Sequence, residues 1–369
     1  MKERLLKFGI CVLVLFASVA IGWAEETKIG NMTLDELKAA LGLSVYVQGG
    51  YTYNFEDPES QENEFRVFDH KANSFTLDLA QLVFTKTPPV NSVGYKVKLS
   101  AGETAKFIHS RGLGDATDSF DVTEAYISYV APVGNGLRFD FGKWVTYHGA
   151  EVIEAKDNPN YSRSFLFNYA IPFTHTGLKV GYAFSDMLNA GIHIVNGWDN
   201  SDDNNKGKTL GASVGFIPIE QLSMVFNLMY GPEQDNDTAN NRFLFDWVGI
   251  ITPMKSLTLN VNVDYGTEEN VPAIADEDAA WYGTSVIAKY DFSDLFSLAA
   301  RAEYFNDDDG ARTGTDQKLK EITITPEFRL AKNFLVRPEY RHDWSNEDVF
   351  DGGTKDTQDT IAVGVMYTW

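Results

Sequence analysis

Charged residues recur on alternate positions in many short stretches of this chain. Arg337, Glu339, Arg341 and Asp343 do so near the C-terminus, as do Glu327 with Arg329, Arg301 with Glu303, Arg138 with Asp140, and Lys96 with Lys98. Lys179 and Asp264 hold the same phase in their own segments. Alternation puts such residues on one face of an extended strand. A face of mixed acids and bases either neutralises itself as a network or guides ions through water. Opposite charges on paired strands support each other, and counting back across a turn at residues 331–333 sets Glu327 opposite Arg337. A second group, Glu151, Glu154, Asp157 and Arg163, falls in a long irregular segment. Charges held there at a narrow passage would set ion preference.

Catalysis is poorly served. His148, His175 and His193 are scattered, and Ser162 and Ser164 flank Arg163 outside any Gly-x-Ser-x-Gly setting, so no hydrolase and no other enzyme is expected. The stretch DNSDDNNKGK sets Asp199, Ser201 and Asp203 at calcium-loop spacing. It lacks the glycine and glutamate that such a loop needs, and reads as a hydrated connection. The one cysteine, Cys11, lies in an N-terminal apolar run, which leaves the exported chain without thiolate ligands or disulfides. No metal or cofactor is expected.

The elements that must carry these residues follow from the pattern. Lys2, Arg4 and Lys7 precede FGICVLVLFASVAIGWA, so residues 1–24 read as a secretory signal. Residues 25–42 form a short periplasmic segment with one helix: Thr33 and Glu36 have capping-box spacing, Leu34, Leu37 and Leu41 share a face, and Gly42 suits the C-cap. From Leu43 to Trp369 the period is two. In LTLNVNVDYG, for example, Leu257, Leu259, Val261, Val263 and Tyr265 face one way, and Thr258, Asn260, Asn262 and Asp264 the other. Seven tight turns, such as TPPVNS and PVGNG, alternate with eight long, mostly acidic loops. That predicts an all-β, transmembrane antiparallel barrel of about 16 strands, with short periplasmic turns and long external loops. A soluble sandwich would need neither one-sided loop lengths nor aromatics near strand ends. Such aromatics are Tyr51, Tyr53 and Phe55, Tyr126 and Tyr129, Trp144 and Tyr147, Tyr290 and Phe292, and Tyr367 and Trp369. The chain ends on DTIAVGVMYTW, a last strand whose terminal Trp369 would lie at the periplasmic lipid boundary and mark the barrel for closure and assembly. A net charge of −21 disfavours nucleic acid and favours cations. The third long loop, HGAEVIEAKDNPNYSRSFLFNYAIPF, is rich in Phe, Leu, Ile and Tyr, too apolar to lie in solvent, and should fold into the lumen with Arg163 held against Glu151, Glu154 or Asp157. NDDDGARTGTDQ, by contrast, reads as a solvated external loop.

The stretches GGYTYNFEDPESQENEFRVFDHKANSFTLDLAQLVFTK, GAEVIEAKDNPNYSRSFLFNYAIPFTHTG, VNGWDN and MYGPEQ resemble the β-barrel porin family of the OmpL-like type, from about Tyr46 to the C-terminus. The resemblance implies a bacterial outer-membrane diffusion channel for small hydrophilic solutes. It transfers no solute and no site residues. The expected partners are outer-membrane lipid and lipopolysaccharide, the barrel assembly machinery and permeating solutes, with a homotrimer among the assemblies open to the chain. Weak cation preference is expected from the acidic loops. The alternative is a surface-binding or envelope-stabilising barrel with little conduction.

Overall fold

The computed structural model describes residues 28, 29, 32–115 and 117–369. The leader expected over residues 1–24, with Cys11, lies outside them. The chain divides at Leu43/Ser44 into two compact units. In the first, Lys28–Ile29 pairs antiparallel with Met32–Thr33, and helix α1 spans Leu34–Leu41. Its capping box is complete: Glu36 N donates to Thr33 Oγ1, and Thr33 N donates back to Glu36 Oε2 at 2.7 Å. Gly42, in the left-handed region at φ 59°, stops the helix.

The second unit is a closed sixteen-strand barrel in which each strand neighbours the next in sequence and the last neighbours the first. The strands are β1 Leu43–Asn54, β2 Ser74–Lys86, β3 Ser92–Ala101, β4 Phe120–Ala131, β5 Leu137–Val145, β6 Thr174–Ala183, β7 Leu188–Val195 and β8 Thr209–Ile219. They continue as β9 Leu222–Pro232, β10 Asn241–Met254, β11 Leu257–Val271, β12 Glu277–Asp291, β13 Phe296–Asp308, β14 Gln317–Ala331, β15 Phe334–Trp344 and β16 Thr357–Thr368. At one end the connections are tight. At the other run the loops L1 to L8, over residues 55–73, 102–119, 146–173, 196–208, 233–240, 272–276, 309–316 and 345–356. L2 carries a short helix, α2, Glu103–Phe107.

Alternation is what makes these segments strands of a membrane barrel. On β11, Asn262 and Asp264 are buried inside, while Tyr265 is exposed outside. Closure removes every sheet edge, which a bilayer demands because unpaired backbone groups have no water to bond there. The closing ladder runs from Thr360↔Asn54 to Thr368↔Tyr46, and Trp369 N then donates to Val45 O at 2.9 Å while Val45 N donates to Trp369 O at 2.8 Å.

Three members of the expected aromatic belt lie inside instead. Tyr126 and Trp144 face the lumen near Lys179, whose Nζ is 5.8 and 5.4 Å from their ring centroids. The reason is parity: each stands three residues from an outward aromatic, Tyr129 or Phe141, and odd spacing on a strand means opposite faces. Tyr147 also turns in, stacked 3.8 Å from His193.

Candidate functional site

L3 is built against the inner wall by polar contacts along most of its length. It leaves β5 past Tyr147, whose carbonyl accepts from Asn227 Nδ2 on β9, and Ala150 N donates to Asn262 Oδ1 on β11. Glu151 is buried and takes two donors, Arg301 Nη1 of β13 at 2.8 Å and Ser164 N at 2.8 Å. Glu154 reaches the other side of the wall, where Lys98 Nζ of β3 and Gln81 Nε2 of β2 both donate to it at 2.8 Å. Burial opposes the charge on Glu154, but the Lys98 ammonium outweighs it and brings the carboxyl down to about 2. Asp157 is the exposed member of the group, and Lys156 Nζ bonds it at 2.5 Å.

Arg163 departs from the expected pairing with these acids. Its guanidinium donates only to carbonyls: to Val152 O from Nε at 2.9 Å, and to Tyr161 O and Ile153 O from the two Nη atoms. The Phe68 ring of L1 covers it, with the ring centroid 4.7 Å from Cζ. Glu151 and Glu154 are already engaged by Arg301 and Lys98 on the wall, and the L3 hairpin turns its own carbonyls toward Arg163. Burial pushes the Arg163 guanidinium down, against the pull of Glu151. It pins the loop and lines no open passage.

The wall residues divide by what they hold. Glu339 on β15 accepts from Tyr161 N at 2.6 Å and Ser162 N at 2.9 Å, and Glu303 on β13 accepts from Phe165 N and Leu166 N, both at 2.6 Å. Arg337 donates to Ala155 O and, from Nε at 2.7 Å, to Glu327. Arg341 Nη1 donates to Arg163 O at 2.6 Å, and its Cζ lies 4.7 Å from the Phe165 ring. Arg301 Nε donates to Glu321 at 2.6 Å. Asp264 is buried across the β10–β11 ladder from Asp246. Nearer the short turns, Lys96 pairs with Glu124 at 2.7 Å, Arg138 and Lys179 with Asp140 at 2.8 and 3.2 Å, and Arg329 with Glu327 at 2.6 Å.

A ring seats the tip of the loop. Tyr161 OH donates to Asp78 Oδ2 at 2.7 Å, and its side chain lies so closely on Gly50 and Gly364 that a Cβ on Gly50 would fall 2.0 Å from its hydroxyl and one on Gly364 2.3 Å from its Cδ2. Farther on, Trp281 Nε1 donates to Ala170 O at 3.1 Å, and Arg312 Nε of L7 donates to Tyr169 O at 2.8 Å. Arg312 also lies over Trp198 and Trp281, with centroid distances of 4.9 and 5.1 Å. L7 is therefore an anchor for L3 and not the free solvated loop its acidity suggests. Asp199, in the calcium-like stretch, likewise serves L3: it accepts from Phe173 N and Thr174 N at 2.8 and 2.7 Å.

Several partners were not singled out by sequence. Glu124, Asp246 and Glu321 carry the same alternation as their chosen neighbours, so the signal was present. Asp78 and Gln48 are in phase too, but only the position of Tyr161 gives them a role. Arg66 of L1, bonded to Asp69 at 2.5 Å and to Asp343 at 2.9 Å, had no periodic signal at all.

Residues 40–369 match the family model described as "Putative beta-barrel porin-2, OmpL-like". No curated protein matches the sequence. Among solved structures, the anion-selective porin from Comamonas acidovorans is similar with a TM-score of 0.61 at 11% identity, over 89% of this chain and 98% of that one. OmpF of Salmonella typhi, in complex with daunomycin, gives 0.60 at 15% identity, over 89% and 97%. The trimer form of OmpT from Vibrio cholerae gives 0.56 at 15%, over 89% and 98%. At such identities the likeness is one of fold.

Proposed function

This chain belongs to the OmpL-like beta-barrel porin-2 family, and we propose that it works there as a water-filled channel for passive diffusion of small hydrophilic solutes and ions, with L3 setting the bore. The protein is an outer-membrane porin. One observation carries the mechanism: L3 is fastened from inside to residues of β1, β2, β3, β9, β11, β13 and β15. A loop bonded that widely narrows a sixteen-strand lumen wide enough for water. It does so without exposing much charge, since Glu151, Glu154 and Arg163 are all buried in the contacts.

Ion preference then falls to groups that water reaches. The net charge of −21 and the acidic external loops support weak cation preference at the outer mouth, strongest at low salt because screening shortens the field to about 8 Å at physiological ionic strength. No enzymatic role is proposed. The partners we assign are outer-membrane lipid, lipopolysaccharide, the barrel assembly machinery and, for a porin of this fold, two further copies in a homotrimer.

Liposome swelling with sugars of graded size tests the channel. Uptake that falls off with size supports it, and no uptake of any sugar would favour the surface-binding scaffold. Reversal potentials across a planar bilayer test the preference, and a clear anion preference at low salt from the outer mouth would overturn it.

A further inference from the structure

Among the described residues, Lys318 and Lys320 at the start of β14 are the only bases on the outward face of a strand's loop half. Alternation puts them there. Gln317, Leu319 and Glu321 are buried inside, while both lysines share the outer face with Ile322 and Ile324, which are 47 and 44% exposed. Two residues of strand set the lysines about 7 Å apart. Their ladder neighbours carry no acid: Lys318 stands opposite Asn306, and Lys320 lies between Tyr304 and Trp344. Neither lysine is ion-paired among the described residues.

The acids of this sector stand apart from the pair. Asp308, Asp309 and Asp316 around L7, and Glu347 and Asp348 in L8, are loopward of Lys320. Asp359, two strands away on β16, is engaged by His342 and Tyr340 at 2.9 and 2.6 Å. Aromatic rings fix the depth of the lysines. The Tyr282 and Tyr304 centroids are 6.4 Å apart on β12 and β13, and those of His342 and Trp344 are 5.2 Å apart on β15. Rings of this kind gather where the headgroups of a bilayer meet its chains. A lysine at that level costs the barrel little, and it faces lipid phosphate.

Below Tyr304 the outer face of β13 carries only small side chains, the exposed Ala302 and Ala300. Ala302 stands between Val286 and Ile322, and Ala300 between Ala288 and Ile324. The larger side chains of the flanking strands wall a shallow apolar trough that begins beneath the lysines and runs toward the middle of the membrane.

From this we infer that β12 to β15 form a seat for lipopolysaccharide of the outer leaflet, with a lipid A phosphate on Lys318 and Lys320 and one acyl chain in the alanine trough. The inference gives a site to one of the partners assigned above, and rests on loops L1 to L8 facing outward. Charge complementarity selects the ligand: in a chain of net charge −21 with acidic loops, an unpaired couple of ammonium groups is where a phosphate can settle. A phosphate monoester, as on lipid A, carries up to two charges, and the diester of a phospholipid only one.

Diphosphoryl lipid A is the probe, with phosphatidylglycerol as the other lipid phosphate, titrated into the full chain purified free of lipid in detergent and read by native mass spectrometry. Lipid A should bind about tenfold tighter than phosphatidylglycerol. In Lys318→Gln/Lys320→Gln the lipid A affinity should fall about tenfold. Ala302→Phe, which fills the trough, should weaken it as well, so that either variant suffices if the other does not assemble. Lys206→Gln/Lys208→Gln removes two charges from L4 and should leave the affinity unchanged. Lipid A binding that is unaltered in both test variants, or that falls equally in the L4 control, would overturn the seat; equal affinity for phosphatidylglycerol would overturn its assignment to lipopolysaccharide. A wild-type chain that takes up no lipid A would remove lipopolysaccharide from the partners altogether. Conductance should stay at the wild-type level in Lys318→Gln/Lys320→Gln, because both side chains face lipid, so the channel reading stands or falls separately.

Discussion

Gly364 of the last strand stands directly across the closing ladder from Gly50 of the first, and the side chain of Tyr161, its ring at Gly364 and its hydroxyl at Gly50, fills the space that a Cβ on either would need. The seam at which the barrel closes is thus also the seat of the loop that narrows it. Both glycines are in ordinary extended strand, so an added methyl group costs the ladder nothing by itself. Its whole effect falls on Tyr161.

Gly364→Ala should therefore leave assembly near normal and displace the tip of L3. The new Cβ would lie 2.3 Å from Tyr161 Cδ2 and 2.9 Å from Cγ, the rigid body of the ring. Single-channel conductance should rise and become noisier. Adding Tyr161→Ala should change conductance little further, since the two substitutions act on one contact and are not additive. Full additivity would show that the ring does not seat the loop.

Arg163→Ala is a stability variant more than a selectivity variant. It leaves the carbonyls of Val152, Ile153 and Tyr161 without their donor, and each buried unpaired group costs roughly 1–3 kcal/mol. The heat-modifiable fraction should unfold at lower temperature or denaturant. Ion preference should hardly move, because the guanidinium is buried beneath Phe68. Arg163→Lys should not rescue, as a single ammonium cannot serve three carbonyls set around a planar fork.

What the sequence made legible was whatever repeats with period two. Strand count, turn positions, the inward phase of Arg301, Glu339 and Asp264, and the opposition of Glu327 and Arg337 all follow from alternation plus counting. Loop contacts do not repeat. The acids of L3 gave no sign that they would choose Arg301 and Lys98 over Arg163, because that choice depends on which wall residues the folded loop reaches. Arg312 was hidden in the same way: a lone arginine in an acidic loop reads as solvated until two tryptophans from other segments are brought beneath it.

Two acids of the external loops give the pH dependence. Burial pushes Glu233 up to about 7 and Asp199 up to about 6, the first despite Arg242 and the second despite the amide donors of Thr174 and Phe173. Unfolded, both titrate near ~4. The folded chain thus binds more protons than the unfolded one between about pH 4 and 7, so their contribution to stability is full below that window and is lost as pH rises through it. Glu233→Gln should flatten the decline in unfolding midpoint between pH 5 and 8. An undiminished slope in that variant would place the effect elsewhere.

Deleting Trp369 removes the last rung of the closing ladder, the reciprocal pair of bonds with Val45. The heat-modifiable fraction in the outer membrane should fall, while channels that do assemble keep wild-type conductance, because Trp369 contributes no lumen group. Normal surface levels of the truncated chain would show that closure does not depend on it.

The bore itself is tested by cutting two loops. Removing residues 158–167 takes away Tyr161, Arg163 and the amides that Glu339 and Glu303 hold, so the middle of L3 goes with its main fastenings. Conductance and the size limit for sugars should both rise. Cutting back residues 309–316 removes Arg312, and with it the bond to Tyr169 and the stack on Trp198 and Trp281. That frees only the end of L3 nearest β6, so conductance should rise less, and the size limit should stay close to wild type. Arg312→Ala alone should reproduce the L7 result, since the rest of that loop makes no bond to L3 among the described residues. Equal widening from both deletions would mean that the bore is governed from the outer mouth, and that the contacts of Tyr161, Glu339 and Glu303 hold a loop that does not limit flow.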